Sequence, residues 1–274
     1  MQVAPDNPVR GSSDSARGWP ASAEAHQRCS MLGIIVSVGG ITEMSAQRVL
    51  ITGGSQGIGA ALVGRMSGAG YAVVFTGRNK DRIAAVAQKS GAFGLRADVS
   101  VGDENSRVVD VCCERMGGID ILVNNAAFPY GAEIGDFDVD RMRELFATNV
   151  FGVVDLTNRV VPMMKAQKSG DIVNIASTSG MKGHKGGTAY AGSKWALRGI
   201  SQCWQAELRP HGIRVISVCP SEVQTDWGGL VDRNNPNKLY ADDIAETLMA
   251  ALSMKRRALW PELAVFATNP WKVD

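Results

Sequence analysis

The sequence predicts an α/β protein: one doubly wound parallel sheet with helices packed on both faces. Three observations carry that prediction. Short apolar runs alternate with longer amphipathic stretches from residue 45 onward, which is the pattern of parallel strands joined by crossover helices. The first run, Arg48-Val-Leu-Ile-Thr52, stops at a glycine-rich segment that leads into a helical stretch. Residues able to bind or react fall just after one run after another, and in such sheets ligands lie beyond the carboxyl ends of the strands.

Arg48–Thr52 is short, apolar and halted by glycine, so it reads as a buried strand. Thr52-Gly53-Gly54-Ser55-Gln56-Gly57-Ile58-Gly59 follows, then a helix over Ala60 to Ser67. Strand, glycine turn and helix together let backbone N–H groups face a pyrophosphate at a helix N-terminus. A second strand, Tyr71 to Thr76, leads to Gly77-Arg78-Asn79 and a helix from Lys80 to Gln88. A third strand over Phe93 to Ala97 ends at Asp98-Val99, and a helix covers Asp103 to Met116. The fourth strand, Ile119 to Val123, runs into Asn124-Asn125-Ala126-Ala127. One long helix is expected over Val139 to Met164, with Asn149 inside it. The strand Ile172 to Ala176 ends at Ser177, and a helix from Thr188 to Arg209 carries Tyr190 and Lys194. Ile213 to Val218 is a strand ending at Cys219-Pro220, Asp242 to Leu252 a helix, and Leu263 to Ala267 a last strand. With no internal repeat and no linker, residues 45–274 read as a single Rossmann-type domain with right-handed crossovers.

Composition bounds the partners. A chain of 274 residues with 45% apolar content can bury one substantial core. A net charge of +2 gives no electrostatic reason to expect nucleic acid or an acidic membrane. The five cysteines form neither a disulfide framework nor a metal motif, and the three histidines have no ligand spacing, so a cytoplasmic protein without a metal is expected. Residues 1–44 differ from the rest. Met1 to Ser30 is rich in Ser, Ala, Pro and Gly and reads as a disordered extension. Met31 to Ile41 is apolar but too short to span a bilayer. Two readings of it stay open: a signal-peptide core behind Arg10, Arg17 and Arg28, or a start placed upstream of Met44. A chain beginning at Met44 is expected to keep its activity and melting temperature.

The chemistry centres on Tyr190 and Lys194, four residues apart and so on one helix face. A tyrosine is a poor acid or base near neutral pH, and a lysine ammonium one turn away is expected to lower the phenol pKa. Ser177, ending the strand before, can hold a substrate oxygen beside the phenol. Asn149, within an apolar helix face, needs a polar partner. Met181, His184 and Lys185 lie in a loop expected to overhang the site, Phe128 and Tyr130 follow the fourth strand, and Trp227 falls in the expected lid. Together they suggest an aromatic and Met-lined pocket for a partly apolar carbonyl compound, with His184 a solvated loop residue.

Thr52-Gly-x-x-x-Gly57-x-Gly59, Asn124-Asn-Ala-Ala127, Asn149, Ser177 and Tyr190-x-x-x-Lys194 stand in the order and spacing of the short-chain dehydrogenase/reductase family, which the chain resembles from about Gln47 to Pro270. The resemblance implies an oxidoreductase that moves a hydride between a nicotinamide cofactor and a carbonyl or secondary alcohol. It implies a tetrad of Asn149, Ser177, Tyr190 and Lys194, with Asn149 holding a water that links Lys194 to solvent. It implies a cofactor set of Gly53, Ser55, Gln56, Gly57, Ile58, Gly59, Asp98, Val99, Asn125, Ala126, Tyr190, Lys194, Pro220, Val223 and Thr225. Within it Asp98 lies near the adenine, Asn124 near a ribose and in strand packing, and Thr225 at the carboxamide. Pro220-Ser221-Glu222-Val223-Gln224-Thr225 departs from the family's Pro-Gly-x-Val-x-Thr and adds a carboxylate. A non-catalytic dinucleotide sensor would be expected to lack Ser177 or Tyr190. An epimerase or dehydratase relative would carry a longer substrate domain.

NADP(H) is expected over NAD(H). The second strand ends Thr76-Gly77-Arg78 with no carboxylate at its tip to accept from ribose hydroxyls, and Arg78 offers a planar guanidinium to a 2′-phosphate. Asp81, the nearest acid, falls in the next helix's first turn. Gln56 argues the other way, because many NADP-dependent relatives carry Arg or Lys there. A homodimer or homotetramer is also expected, because Val153, Val154, Val160, Val161, Trp195, Leu197, Ile200, Trp204 and Leu208 exceed what one sheet face can cover.

Overall fold

The computed structural model describes residues 46–225 and 235–269. The N-terminal extension with Met44, the residue Trp227 and Pro270 lie outside the described residues. In chain order the elements are β1 (Arg48–Ile51), α1 (Gly57–Gly68), β2 (Ala72–Gly77), α2 (Lys80–Ser90), β3 (Phe93–Arg96), α3 (Gly102–Met116) and β4 (Ile121–Asn124). There follow α4 (Val139–Phe146), a π turn (Ala147–Gly152), α5 (Val153–Gln167), β5 (Gly170–Ile175), α6 (Thr188–Leu208) and β6 (Ile213–Pro220). A short pair, β7 (Val223–Gln224) and β8 (Leu239–Tyr240), precedes α7 (Ala241–Ser253) and β9 (Glu262–Val265).

Seven strands form one parallel sheet in the order β3-β2-β1-β4-β5-β6-β9. Alternate side chains of each strand feed opposite layers. Val49 and Ile51 pack with Leu62, Met66, Ile83 and Leu248 of α1, α2 and α7. Leu50, between them, packs with Val108, Cys112, Leu156 and Val160 of α3 and α5. A sheet buried on both faces explains why its strands read as unbroken apolar runs. The strand order switches direction between β1 and β4, which leaves a crevice at their carboxyl ends.

The amino ends of the strands are tied down by charge. Arg48 on β1 donates from Nε to Asp120 Oδ2 at 2.8 Å and from the guanidinium to Oδ1 at 2.5 Å. Asp171 on β5 accepts from Arg214 Nε on β6 at 2.6 Å and from Arg256 at 2.7 Å.

Two expectations are revised. The single helix over Val139 to Met164 is instead α4, the π turn and α5. A Cβ on Gly152 would stand 2.3 Å from Val99 O, and Asn149 is drawn onto the loop after β4, so the turn widens there. The apolar surplus is also smaller than expected. Val153, Val160, Leu197 and Leu208 are buried within the chain, whereas Val154, Trp195 and Phe151 are exposed. No helix among the described residues is long and apolar enough to cross a membrane.

Candidate active site

The glycine turn sits where the sheet demands it. Gly53 takes φ +65° and a Cβ there would meet Ala126 Cα at 2.8 Å, so the chain from β1 passes directly against the chain leaving β4. Thr52 Oγ1 accepts from the N–H groups of Asn125 and Ala126, each at 3.0 Å, and Asn125 Nδ2 donates back to Thr52 O and Gly53 O. Two strand ends are thereby stitched into one floor. The helix α1 begins at Gly57 without a side-chain cap, leaving first-turn N–H groups for an outside acceptor.

A cleft of about 750 Å³ opens above this floor. From the glycine turn it is lined by Gly53, Ser55, Gln56, Gly57 and Ile58, and from the ends of β2 and β3 by Arg78, Asp98 and Val99. Asn125 and Ala126 after β4, then Ser177, Tyr190 and Lys194, continue the wall; Pro220, Val223 and Thr225 after β6 complete it. Thus sixteen of the positions expected from sequence meet in one crevice, though three others fall behind it. Gly59 lies beneath the turn, where a Cβ would stand 2.3 Å from Gly53 O, so it serves close packing and not ligand contact. Asn124 is buried, donating to Asn174 Oδ1 at 2.9 Å and Thr157 Oγ1 at 3.1 Å, so only its strand-packing role is met. Asn149 is buried as well. Its Nδ2 donates to Phe128 O and Ser193 Oγ, each at 3.2 Å, and its Oδ1 accepts from Phe128 N at 3.1 Å. Its side chain pins the loop after β4 to α6.

Ser177, Tyr190 and Lys194 converge as the sequence predicts. The Ser177 hydroxyl is hydrogen-bonded to the Tyr190 phenol and accepts from Ser179 N at 3.1 Å. Lys194 Nζ donates to Ile175 O at 2.7 Å and lies 5.6 Å from the Tyr190 ring centroid. The expected lowering of the phenol pKa is overturned. Burial pushes Tyr190 up to about 12, against a partial offset from the Ser177 hydrogen bond. Lys194 is fully enclosed and burial brings its ammonium down to about 8, with Cys219 opposing. The reason is geometric: the ammonium is spent on a carbonyl of β5, so desolvation dominates both groups.

At the far end of the cleft Arg78 stands 3.7 Å from Asp98 Oδ2 and is mostly exposed. Sequence reasoning missed Arg82. It lies in the first turn of α2 and donates to Gln56 Oε1 of the glycine turn, a contact that depends on how α2 leans over α1. Ser179, Thr148 and Lys238 also line the cleft without a signal in the sequence, and Glu222, the added carboxylate, lines it as well and pairs with Lys238 at 2.8 Å.

The substrate wall differs most from expectation. Of the six side chains expected there, only His184 lines the cleft among the described residues. Tyr130 packs on Phe137 and its hydroxyl accepts from Asp138 N at 2.8 Å, which turns it outward. Phe128 is held by Asn149, and Lys185 pairs with Glu133 at 2.9 Å. Met181 is likewise absent from the lining, so among the described residues the wall carries no Met and no phenyl or indole ring besides Tyr190, with Ser179, His184, Glu222 and Lys238 as its polar side chains. His184 accepts or donates at 3.3 Å with Ser179 Oγ, and its ring lies on Gly187, where a Cβ would stand 2.6 Å away.

A family model described as short chain dehydrogenase matches residues 47–235. An uncharacterised oxidoreductase of Staphylococcus saprophyticus is 35% identical over 218 residues, spanning 77% of this chain and 93% of that protein. The closed form of a serine dehydrogenase complexed with NADP+ superposes with a TM-score of 0.75 at 26% identity, over 79% of this chain and 93% of that one. A short-chain dehydrogenase from Streptomyces avermitilis gives 0.73 at 27% identity, over 81% and 89%.

Proposed function

The chain belongs to the short chain dehydrogenase family, and from that premise we propose that it is an NADP(H)-dependent reductase of small polar carbonyl compounds. The observation that carries the proposal is the meeting of Ser177, Tyr190 and Lys194 in the same cleft as the uncapped glycine turn. The cradle fits a dinucleotide. Gly57 keeps the turn bare where a Cβ would stand 3.3 Å from Thr225 of the facing wall, so backbone and ligand can approach closely there.

When bound, the nicotinamide cofactor supplies or accepts the hydride. The protein supplies position and a proton. In reduction the Ser177 hydroxyl donates a hydrogen bond to the substrate oxygen, and the Tyr190 hydroxyl gives that oxygen its proton as negative charge develops. A phenol held near 12 is fully protonated at neutral pH and therefore ready to donate. Lys194, titrating near 8, is still mostly an ammonium at pH 7 and favours the phenolate left behind. Asn149 acts behind this set by holding the loop after β4 against α6.

Three features support NADP(H). β2 ends without a carboxylate, Arg78 faces the cleft, and Arg82 reaches the glycine turn at Gln56. A neighbour in fold, the serine dehydrogenase, is complexed with NADP+. The polar wall of Ser179, His184, Glu222 and Lys238 supports hydroxy acids, keto acids and their relatives over apolar ketones. Exposed Phe151, Val154 and Trp195 support pairing of α5 and α6 with a second copy, to be tested by light scattering. The functional test is a panel of keto acids, keto esters, apolar ketones and serine, assayed with NADPH or NADP+ through the absorbance of the reduced nicotinamide. Turnover of polar members in a Tyr190-dependent manner is expected. Undiminished turnover in Tyr190→Phe would overturn the mechanism.

A further inference from the structure

The helix that carries Tyr190 and Lys194 bears one more charged side chain directed at the site's supports, Arg198, one turn beyond Lys194. Its guanidinium is largely enclosed and every edge of it is used. Nε and one terminal nitrogen donate to the two oxygens of Glu262 on β9, each at 2.8 Å. The other terminal nitrogen donates to Gly180 O at 2.5 Å.

Gly180 closes the short 3-10 turn Thr178–Gly180, for which Ser177 is the capping residue. Within that turn Gly180 N donates to Ser177 O at 2.9 Å and Ser179 N donates to Ser177 Oγ at 3.1 Å. The turn also lies directly on α6, since a Cβ on Gly180 would stand 2.7 Å from Lys194 O and 3.0 Å from Arg198 Cδ. Glu262 in turn belongs to β9, which pairs with β6 through Cys219 and Pro220, while Ser221 N donates to Val265 O. One guanidinium therefore joins the turn that aims Ser177, the helix that holds Tyr190 and Lys194, and the edge strand beneath the Pro220 wall.

We propose that Arg198, anchored by Glu262, is a positioning residue that sets the Ser177 hydroxyl relative to the Tyr190 phenol. Charge-assisted bonds from a planar, forked donor fix direction as well as distance. An exposed pair would contribute little of either. Here both partners are partly enclosed, and the third contact falls on the backbone of the turn itself. The inference rests on the functional reading above, because it assigns Arg198 a role only through Ser177.

The test is a double-mutant cycle of Arg198→Met and Ser177→Ala, measured as kcat and KM with NADPH and the fastest carbonyl of the panel. Removing a hydrogen-bond donor to a developing oxyanion costs roughly 100- to 1000-fold in kcat, and a misplacement of about 1 Å can cost on the order of 100-fold. Arg198→Met should thus lower kcat about 10- to 100-fold with NADPH affinity unchanged, and should add no further loss in the Ser177→Ala background. Equal losses in both backgrounds, or no loss in either, would overturn the proposal. Full kcat in Ser177→Ala alone would instead refute the functional reading, so the two failures are distinct. Should Arg198→Met fail to fold, Glu262→Gln carries the test. It releases the anchor while keeping the guanidinium, and is expected to give a smaller loss that again vanishes without Ser177.

Discussion

Removing the Asp171 carboxylate should destabilise the fold without touching the chemistry. The side chain is 3% exposed, and Arg214 beside it is 7% exposed. Asp171 accepts from Arg214 Nε at 2.6 Å, from the Arg214 terminal nitrogen at 3.1 Å and from Arg256 at 2.7 Å. Breaking a buried pair by deleting one partner costs about 3–5 kcal/mol, because a desolvated charge is left uncompensated. Arg214 keeps three carbonyl acceptors, Leu252 O, Met254 O and Ala258 O, which places Asp171→Ala near the lower end, about 3 kcal/mol. Arg256 is 43% exposed, so Arg256→Met should cost no more than about 1 kcal/mol. Adding Arg214→Met to Asp171→Ala should recover part of the loss, since the orphaned charge then goes. Urea unfolding at constant pH reads all three, with kcat on the panel substrate as the control. The residue lies at the amino end of β5, away from the cleft, so kcat should hold. A cost under about 1 kcal/mol for Asp171→Ala would refute the charge argument.

Tyr190→Phe should abolish turnover while leaving NADPH binding, read by fluorescence, intact. For Lys194, whose folded pKa is lowered from 10.5 to about 8, two pH effects of opposite sign are expected. kcat/KM should fall as pH rises through about 8 and the ammonium is lost, whereas the unfolding free energy should rise between about 8 and 10.5, where only the unfolded chain still holds that proton. A flat activity profile across that window would count against Lys194 acting as a cation. Arg78→Ala and Arg82→Ala should each shift the NADPH-to-NADH ratio of kcat/KM by about 10-fold or more toward NADH, one charge-assisted contact contributing roughly 1.5–3 kcal/mol. An unchanged ratio in both variants would remove the 2′-phosphate argument.

The order of strands and helices, the glycine turn and the Ser177–Tyr190–Lys194 set were legible because each is written in local sequence. An apolar run that stops at glycine cannot easily be anything else, and a four-residue spacing fixes a helix face. What escaped was decided by contacts between distant segments. Arg82 reaches Gln56 only because α2 leans over the start of α1. Tyr130 was expected to line the cleft, but Asp138 and Phe137 turn it away. The π turn is invisible to periodicity, because one extra residue in a turn leaves the apolar pattern on either side intact. The pKa of Tyr190 went the other way from expectation for the same reason: spacing placed Lys194 nearby, but only the fold shows its ammonium committed to Ile175 O.

During synthesis the strand order imposes a wait. β1 is the first strand among the described residues, yet one of its two neighbours, β4, is paired through Val49 and Ile121, so much of the chain between must emerge before that edge can close. At about 5–20 residues per second this takes roughly 4 to 14 seconds, far longer than a helix or a local collapse needs. Over that interval Val49, Leu50 and Ile51, later fully buried in the sheet, have only β2 to pair with. A ribosome pausing between these two strands prolongs exposure of an apolar edge, the condition under which nascent chains aggregate or engage chaperones. Slowing elongation there by synonymous codons should therefore lower soluble yield, while slowing it after residue 225, when six of the seven sheet strands exist, should not.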